Sequence, residues 1–365
     1  MEPRKRVVIS GYYGFDNTGD EAVLFSIIQA LYKECKKEKI EIIVLSNQAE
    51  KTSKAYGVKA INRWDIKKIY KEIKGCDLLI SGGGSLLQDV TSNKTIPYYL
   101  MVIKMAQVLK KEVVFYAQGY GPVNQGYNKF LVKKVLNKVE HIFVRDIDSQ
   151  KSLKEIGVTR TSIVVTADPV IGMETQKELP VAVTKLLDPS KDKVRVGIYL
   201  RSWKNDQQLM ERIQVLCRIL VKEGIEIFFI PMQHPGDAEL LKGIVLEDSQ
   251  QHSITSPLEV EEVLTLTGKM DLVIGMRLHA LIMATAQEVP VVALSYDPKV
   301  DAFMGMIDNE NCFNVEAFDP QQVARCVVAQ INNIKKEKEN IVYKRQVLLK
   351  KVYEPAKRVR EILTK

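Results

Sequence analysis

Cysteine is scarce and unpaired in this chain of 365 residues: there are five, and no two stand at C-x-x-C spacing. An odd set without that spacing makes a disulfide framework and a structural zinc site both poor readings, and it fits a reducing compartment. Histidine is rarer, with four, and none has a partner at metal-ligand spacing, so no metal is expected. No apolar run approaches the length of a membrane span. The start, Met1-Glu2-Pro3-Arg4-Lys5-Arg6, leads straight into a short strand without the apolar core of a signal peptide. The expectation is a cytoplasmic protein, at most peripheral at the inner membrane face. A G-x-S-x-G elbow is also missing, which removes the serine-hydrolase reading of an α/β chain.

What is present is ordinary for a soluble globular protein, with 46% hydrophobic and 27% charged residues, and the length allows two domains. The net charge of +8 fits an acidic substrate, an anionic membrane surface or nucleic acid, and does not choose among them. The lysine runs Lys33 to Lys39, Lys335 to Lys338 and Lys344 to Lys351 read as solvated helix faces.

Short β-branched runs alternate with helical stretches. In the first half, strands are expected at Arg6–Ile9, Ile40–Leu45, Asp77–Ile80, Val113–Tyr116, His141–Val144 and Ile163–Val165, with helices at Glu21–Cys35, Thr95–Leu109 and Lys129–Val139. Residues 173–193 read as a linker, with Pro180, Asp188, Pro189 and Ser190 and no periodicity. The second half has strands at Val194–Leu200, Ile225–Ile230, Leu272–Ile274 and Val291–Leu294, helices at Gln207–Lys222 and Pro257–Thr267, and a charged helical end from Pro320. This pattern is α/β: two Rossmann-like domains with parallel sheets facing a cleft. The domains are 1–172 and 194–340, with a C-terminal helical segment, 341–365, expected to pack back on the first.

Ligands of such sheets bind at the carboxyl ends of strands, so the loops there carry the information. The first, Ser10-Gly-Tyr-Tyr-Gly-Phe-Asp-Asn-Thr-Gly-Asp20, lacks the G-x-G-x-x-G spacing of a dinucleotide site. Its Asp16 and Asn17 suit sugar hydroxyls, with Asp16 able to serve as a base, or else both are turn and N-cap residues. Asp20 reads as structural. The second, Ser81-Gly-Gly-Gly-Ser85, offers Gly83 and Gly84 as an anion-cradling nest, and no G-K-[ST] follows it. Gln118 lies in the third, Tyr116 to Pro122, as a hydroxyl-binding candidate. Arg145 ends the strand before Asp146, either aimed at ligand or incidental to a helix start, and Asp168-Pro169 closes this half.

In the second half, Arg201 and Trp203 follow a strand, where Arg can clamp an anion and Trp can face a sugar or base. His234 lies in Gln233-His234-Pro235, and Lys299 in Ser295-Tyr-Asp-Pro-Lys299. The sharpest signal is Gly275-Met-Arg-Leu-His-Ala280 after Leu272-Val273-Ile274. A strand, a tight turn and a helix start bring backbone N–H groups, Arg277 and His279 to one place, which suits a phosphate ester with proton transfer beside it. His141 and His252 read as structural, the latter in a polar surface stretch.

Together, G-Y-Y-G-F-D-N-T-G-D-E-A, S-G-G-G-S-L-L-Q-D, A-Q-G-Y-G-P, V-R-D, A-D-P, R-S-W, G-M-R-L-H-A and S-Y-D-P-K resemble the polysaccharide pyruvyl transferases, and among them the CsaB-type cell-wall enzymes. The resemblance runs in motif order from about residue 7 to 330. It implies a fold similar to the two-domain GT-B glycosyltransferases, phosphoenolpyruvate as donor substrate without a cofactor, and a sugar hydroxyl pair as acceptor. For the CsaB type the implied acceptor is N-acetylmannosamine in a lipid-linked secondary cell-wall polymer precursor, whose ketal anchors S-layer domains. It implies Arg277 and His279 as donor-binding and catalytic residues, Arg145 and Lys299 as further donor contacts, and Asp16 and Asn17 toward the acceptor. No nucleic-acid partner is expected. Two rivals remain: a sugar-nucleotide glycosyltransferase of the same fold, and a non-catalytic binder of acidic polymers or membranes.

Overall fold

A computed structural model describes residues 3–90, 92, 94–187, 193–204, 206–244 and 250–365. The chain divides into two units, Met1–Met173 with Leu348–Lys365, and Glu174–Val347.

The first unit alternates strand and helix: β1 (Lys5–Tyr13), α1 (Thr18–Cys35), β2 (Ile40–Ser46), α2 (Ala49–Tyr56), β3 (Lys59–Asn62), α3 (Ile66–Gly75), β4 (Leu78–Gly82), α4 (Thr95–Val108), β5 (Glu112–Gln118), α5 (Gly126–Leu136), β6 (His141–Val144), α6 (Ile147–Glu155) and β7 (Ile163–Val165). The seven strands are parallel, in the order β3-β2-β1-β4-β5-β6-β7. Helices cover both faces, which is why Val7, Val8 and Ile9 are all buried and the strands read as unbroken apolar runs. One core cluster joins Val8, Leu79, Val113 and Phe115 of the sheet to Ile69 and Ile73 of α3, Val102 and Ile103 of α4, and Val132 and Val135 of α5. The strand order turns back between β1 and β4, so the loops after these two strands frame the switch point.

The second unit repeats the plan: α7 (Val181–Leu186), β8 (Arg195–Tyr199), α8 (Asp206–Lys222), β9 (Glu226–Phe229), α9 (Gly236–Lys242), β10 (Gln251–Ser253), α10 (Val260–Thr267), β11 (Leu272–Gly275), α11 (Leu278–Ala286), β12 (Val291–Ser295), α12 (Pro298–Met306), β13 (Cys312–Asn314), α13 (Pro320–Asn332) and all but the last turn of α14 (Ile334–Val352). Its parallel order is β10-β9-β8-β11-β12-β13, with the switch between β8 and β11. The last helix, α15 (Glu354–Leu363), packs on α1, where Arg360 bonds Glu34 at 2.9 Å.

The α/β alternation expected from sequence is present in both units. Several elements go beyond that expectation: α2, β3, α3 and α6 in the first unit, and β10 and β13 in the second. The strands among them have three or four residues and lie at sheet edges, too short to display a period. His252, expected in a polar surface stretch, stands instead in β10, half-buried, with its ring 4.7 Å from that of Phe228. The stretch that reads as linker contains α7, and Asp188, Pro189 and Ser190 lie outside the described residues.

The approach of β1 to the end of β4 depends on a missing side chain. A Cβ on Gly11 would stand 2.4 Å from the Gly82 carbonyl oxygen and 2.3 Å from the Tyr13 ring. Backbone cannot yield there as a flexible side chain would, so Gly11→Ala is expected to cost about 3 kcal/mol. Urea unfolding monitored by circular dichroism checks this, and an unchanged midpoint would show that the two strand ends part freely.

Candidate functional site

In the second unit the strand order sets which loops are neighbours. The ends of β9, β8, β11 and β12 lie in sequence across the sheet, so the loops carrying Gln233, Arg201, Arg277 and Tyr296 form one rim. Arg277 is the N-cap residue of α11, in extended conformation, and His279 lies in the helix's first turn. The side chain of Arg277 is anchored across the rim: its Nη2 donates to Gln233 Oε1 at 3.1 Å and pairs with Asp237 of α9. Asp237 is itself buried and accepts from the Met232 amide at 3.1 Å. The anchor holds one end of the guanidinium, while the buried Nε has no hydrogen-bond partner among the described residues. His234 follows Gln233 directly and so shares this part of the rim.

Tyr296 joins the other two basic residues expected at the site. Arg201 Nη1 donates to the Tyr296 hydroxyl at 2.9 Å, with its guanidinium carbon 4.9 Å from the ring centre. Lys299 Nζ stands 5.6 Å from the same ring and 3.2 Å from Asp297. Arg201 Nε is also buried without a partner among the described residues. The rim therefore presents Arg201, Arg277, Lys299 and His279 against Asp237 and Asp297. Buried cationic donors that no protein acceptor takes are what a small dianion would satisfy. Beside Tyr296 opens a cavity of about 440 Å³ lined by Trp203, Lys204, Asp297, Asp301, Asn314 and Glu316, whose acidic groups outnumber its basic one.

In the first unit the loops after β1, β4, β5, β6 and β7 interlock. Gly83 and Gly84 take φ of +102° and +49°, and a Cβ on them would stand 2.7 Å from the Tyr13 hydroxyl and from Asp20 Oδ1 respectively. Asp20, expected to be purely structural, is thus the carboxylate that faces the glycine turn. Gln118 is fully buried and donates to the Ser81 carbonyl at 2.5 Å and hydroxyl at 2.9 Å, tying β5 to β4. Arg145 is buried too, bonded to Ser85 Oγ at 3.0 Å and Asp168 at 3.3 Å, and 3.5 Å from Asp146. Asp146 also caps α6 by accepting from the Ser149 amide. The helix start is thus present in Asp146, while Arg145 is directed inward, where it ties three loops together.

Asp16 lies at φ 56°, exposed, its two carboxylate oxygens bonded to Lys51 Nζ at 2.5 Å and Gln48 Nε2 at 3.0 Å. Asn17 caps α1 by accepting from the Gly19 amide at 3.0 Å. Next to them, the rings of Tyr12 and Phe15 stack at 4.0 Å and 5°, with Tyr12 exposed. Sequence reading misses this flat aromatic surface, and misses Arg63 behind it. Arg63 is buried, donates to the Gly11 carbonyl at 2.9 Å and Tyr99 hydroxyl at 3.2 Å, and lies 5.2 Å from the Phe15 ring. It also misses Tyr296 and Asp237. Their partners lie 95 and 40 residues away in sequence, and only strand order brings them together. Among the described residues, Glu112, Glu140 and His141 have ligand atoms close enough for a metal ion. They lie at the amino ends of β5 and β6, opposite the loops.

Two parallel α/β units with charged, glycine-rich strand-end loops define a GT-B-like protein. Solved structures with the same fold include a putative UDP-N-acetylglucosamine 2-epimerase from Listeria monocytogenes, with TM-score 0.64 and 14% identity over 93% of this chain and 90% of that one. The UDP-GlcNAc 2-epimerase of Neisseria meningitidis bound to UDP-GlcNAc has TM-score 0.63 and 13% identity, covering 99% of both chains. Anabaena HepE in complex with UDP and glucose has TM-score 0.64 and 14% identity over 99% of this chain and 100% of that one. No curated protein matches the chain in sequence. The family is given by sequence: the model of the polysaccharide pyruvyl transferases matches residues 17–298, and the chain belongs to that family. It is therefore a transferase of the pyruvyl-transferring kind.

The buried Arg145 makes a test of its carboxylate partners. Asp168→Ala removes one of two counter-charges and a cap on Val170 N, and is expected to cost about 3 kcal/mol. Asp168→Asn, which keeps one acceptor oxygen for the Val170 amide but loses the charge and the acceptor facing Arg145, should cost less. Thermal unfolding of the two variants checks the order, and equal losses would show that the cap on Val170 contributes nothing beyond the lost charge.

Proposed function

We propose that the protein transfers a pyruvyl group from phosphoenolpyruvate to a sugar, forming a pyruvate ketal and releasing phosphate. The observation that carries the reading is the gathering of Arg201, Arg277 and Lys299 on one rim, at the adjoining ends of β8, β11 and β12. Phosphoenolpyruvate carries a carboxylate and a phosphate, and needs several cations at fixed positions. In this reading Arg277, Arg201 and Lys299 hold the donor, Arg145 supports it, and His234 adds a polar contact. Gly83 and Gly84 serve as further binding positions, and Gln118, expected to bind ligand directly, instead holds from within the strand end that leads to them. The acceptor is a saccharide faced by Asp16 and Asn17, and the stacked Tyr12 and Phe15 supply a flat surface for a sugar ring. The proposed acceptor is the N-acetylmannosamine of a lipid-linked secondary cell-wall polymer precursor, as in the CsaB type, at the cytoplasmic side of the membrane.

The chemistry has two steps. A sugar hydroxyl adds to C2 of phosphoenolpyruvate, losing its proton to Asp16, while His279 delivers a proton to the methylene carbon and makes it a methyl. The second hydroxyl then bonds to C2 as the C2–O bond to phosphate breaks, and its proton leaves with the phosphate. General acid–base assistance of this kind contributes about 10²–10⁴-fold. Asp237 is the positioning group, since it fixes the guanidinium of Arg277.

His279→Ala is expected to lower turnover by about 100-fold or more with the fold intact. Arg277→Lys, which loses the planar fork, should raise KM for phosphoenolpyruvate about tenfold. Phosphate release from phosphoenolpyruvate with a disaccharide acceptor, followed by mass analysis of the product, checks both. Near-normal turnover by His279→Ala would remove its assigned role. Activity with a sugar nucleotide and none with phosphoenolpyruvate would replace the whole reading by the glycosyltransferase one.

A further inference from the structure

The exposed apolar side chains are not evenly spread. Of the fourteen large ones exposed among the described residues, eight lie between Trp64 and Phe130. They include Trp64, Ile66 and Tyr70 at the start of α3, Val108 at the end of α4, and Tyr127 and Phe130 at the start of α5. These three helices pack side by side on one face of the first sheet and turn their other sides to its core. Their outward surface is thus one continuous region of a single unit.

The same three helices carry eight lysines and one acidic residue, Glu72. Glu72 is buried and already engaged by Arg6 and Lys59 at 2.5 and 2.8 Å. On α3, Ile66, Tyr70 and Lys74 follow at intervals of four, with Lys67 and Lys71 on the adjoining strip. On α5, Tyr127 and Phe130 stand among Lys129, Lys133 and Lys134, and Lys134 Nζ is 5.9 Å from the Phe130 ring. Among the described residues only Lys68 of the eight forms an ion pair, with Asp65. The contrast is α14, also lysine-rich: there Lys338, Lys344 and Arg345 pair with Asp271, Asp308 and Glu288 of its own unit.

We propose that the α3–α5 face of the first unit is a docking surface for an anionic membrane. Aromatic and aliphatic tips enter the boundary between headgroups and acyl chains, and the lysines beside them meet the lipid phosphates. Charge alone would fit a nucleic acid equally well. Ile66 and Val108 decide against it, since exposed aliphatic groups gain nothing from a phosphate backbone but gain from an acyl layer. Among the described residues no helix is long and apolar enough to cross a membrane, so the protein lies on the surface rather than spanning it. Trp64 bonds Asn47 through its indole at 3.0 Å, and Asn47 donates to the Gly14 carbonyl of the loop that holds Asp16. The docking face therefore adjoins the loop assigned to the acceptor. The purpose of docking rests on the lipid-linked acceptor proposed above, whereas the docking itself does not.

The test is co-sedimentation of the full chain with vesicles of mixed phosphatidylglycerol and phosphatidylcholine, and with vesicles of phosphatidylcholine alone. Partition into the anionic vesicles should be higher by about tenfold or more. Two triple variants, Lys67→Glu/Lys71→Glu/Lys134→Glu and Tyr70→Ser/Tyr127→Ser/Phe130→Ser, should each lower it by about tenfold. Lys335→Glu/Lys336→Glu on α14 should change it less than about twofold. Phosphate release with phosphoenolpyruvate and a water-soluble disaccharide should be unchanged in all three, which separates failure of docking from failure of the transferase reading. Docking is overturned if the unaltered chain stays in solution, if both triple variants partition normally, if only the α14 variant is lost from vesicles, or if single-stranded RNA displaces the chain from them.

Discussion

The parallel sheet is the constraint from which the rest follows. Parallel strands cannot be joined by tight turns, so each must be followed by a crossover helix, and every strand-to-helix loop emerges at the same end. Both units obey this, and their charged and glycine-rich loops therefore gather at the carboxyl ends of the strands. A helix start at that point adds backbone donors and a positive dipole end to the side chains already there. Arg277 and His279 owe their position to this geometry: the turn between β11 and α11 sets them at a helix N-terminus, on the strand beside the switch point.

Within that frame, the basic residues differ in how they are held. Arg145 and Arg277 are both anchored by carboxylates, but the surroundings are unlike. Arg145 is buried against Asp146, Asp168 and Ser85, which fixes three loops to each other. Arg277 is fixed through Nη2 by Asp237 and Gln233, which ties the loop after β11 to α9 and the loop before it. Removing a buried ion from water is costly, and a carboxylate partner only partly offsets that cost.

The strands and helices of the core are legible because burial on both sheet faces writes long apolar runs into the sequence. Leu272-Val273-Ile274 and His141–Val144 coincide with observed strands to within a residue. The edge strands β3, β10 and β13 are not legible, since three or four residues with one covered side carry no measurable period. Helix α3 escapes for a different reason. Its Ile66, Ile69, Tyr70 and Ile73 do form a helical stripe, but one of only two turns set among four lysines. The site is legible as a set of loops but not as a set of contacts. Gly275 to Ala280 marks itself by residue type, but nothing in the sequence joins Arg201 to Tyr296 or Arg277 to Asp237. Those pairings depend on which strands lie side by side, and strand order is a property of the whole sheet.

The net charge of +8 resolves into distinct populations once lysines are sorted by what they touch. On α14 several are neutralised by acidic residues that follow α11 and α12 or precede β11, and act as ties. At the strand ends Lys299 and the arginines are held by aromatic rings and carboxylates, which limits their freedom. On α3 to α5 the lysines stand beside exposed apolar groups with almost no acidic residue near. Such a surface keeps its charges fully solvated and repelling one another, an arrangement that stability alone would not favour. A surface that repels itself and exposes apolar area is relieved in both respects by one kind of contact, an anionic layer with an apolar interior.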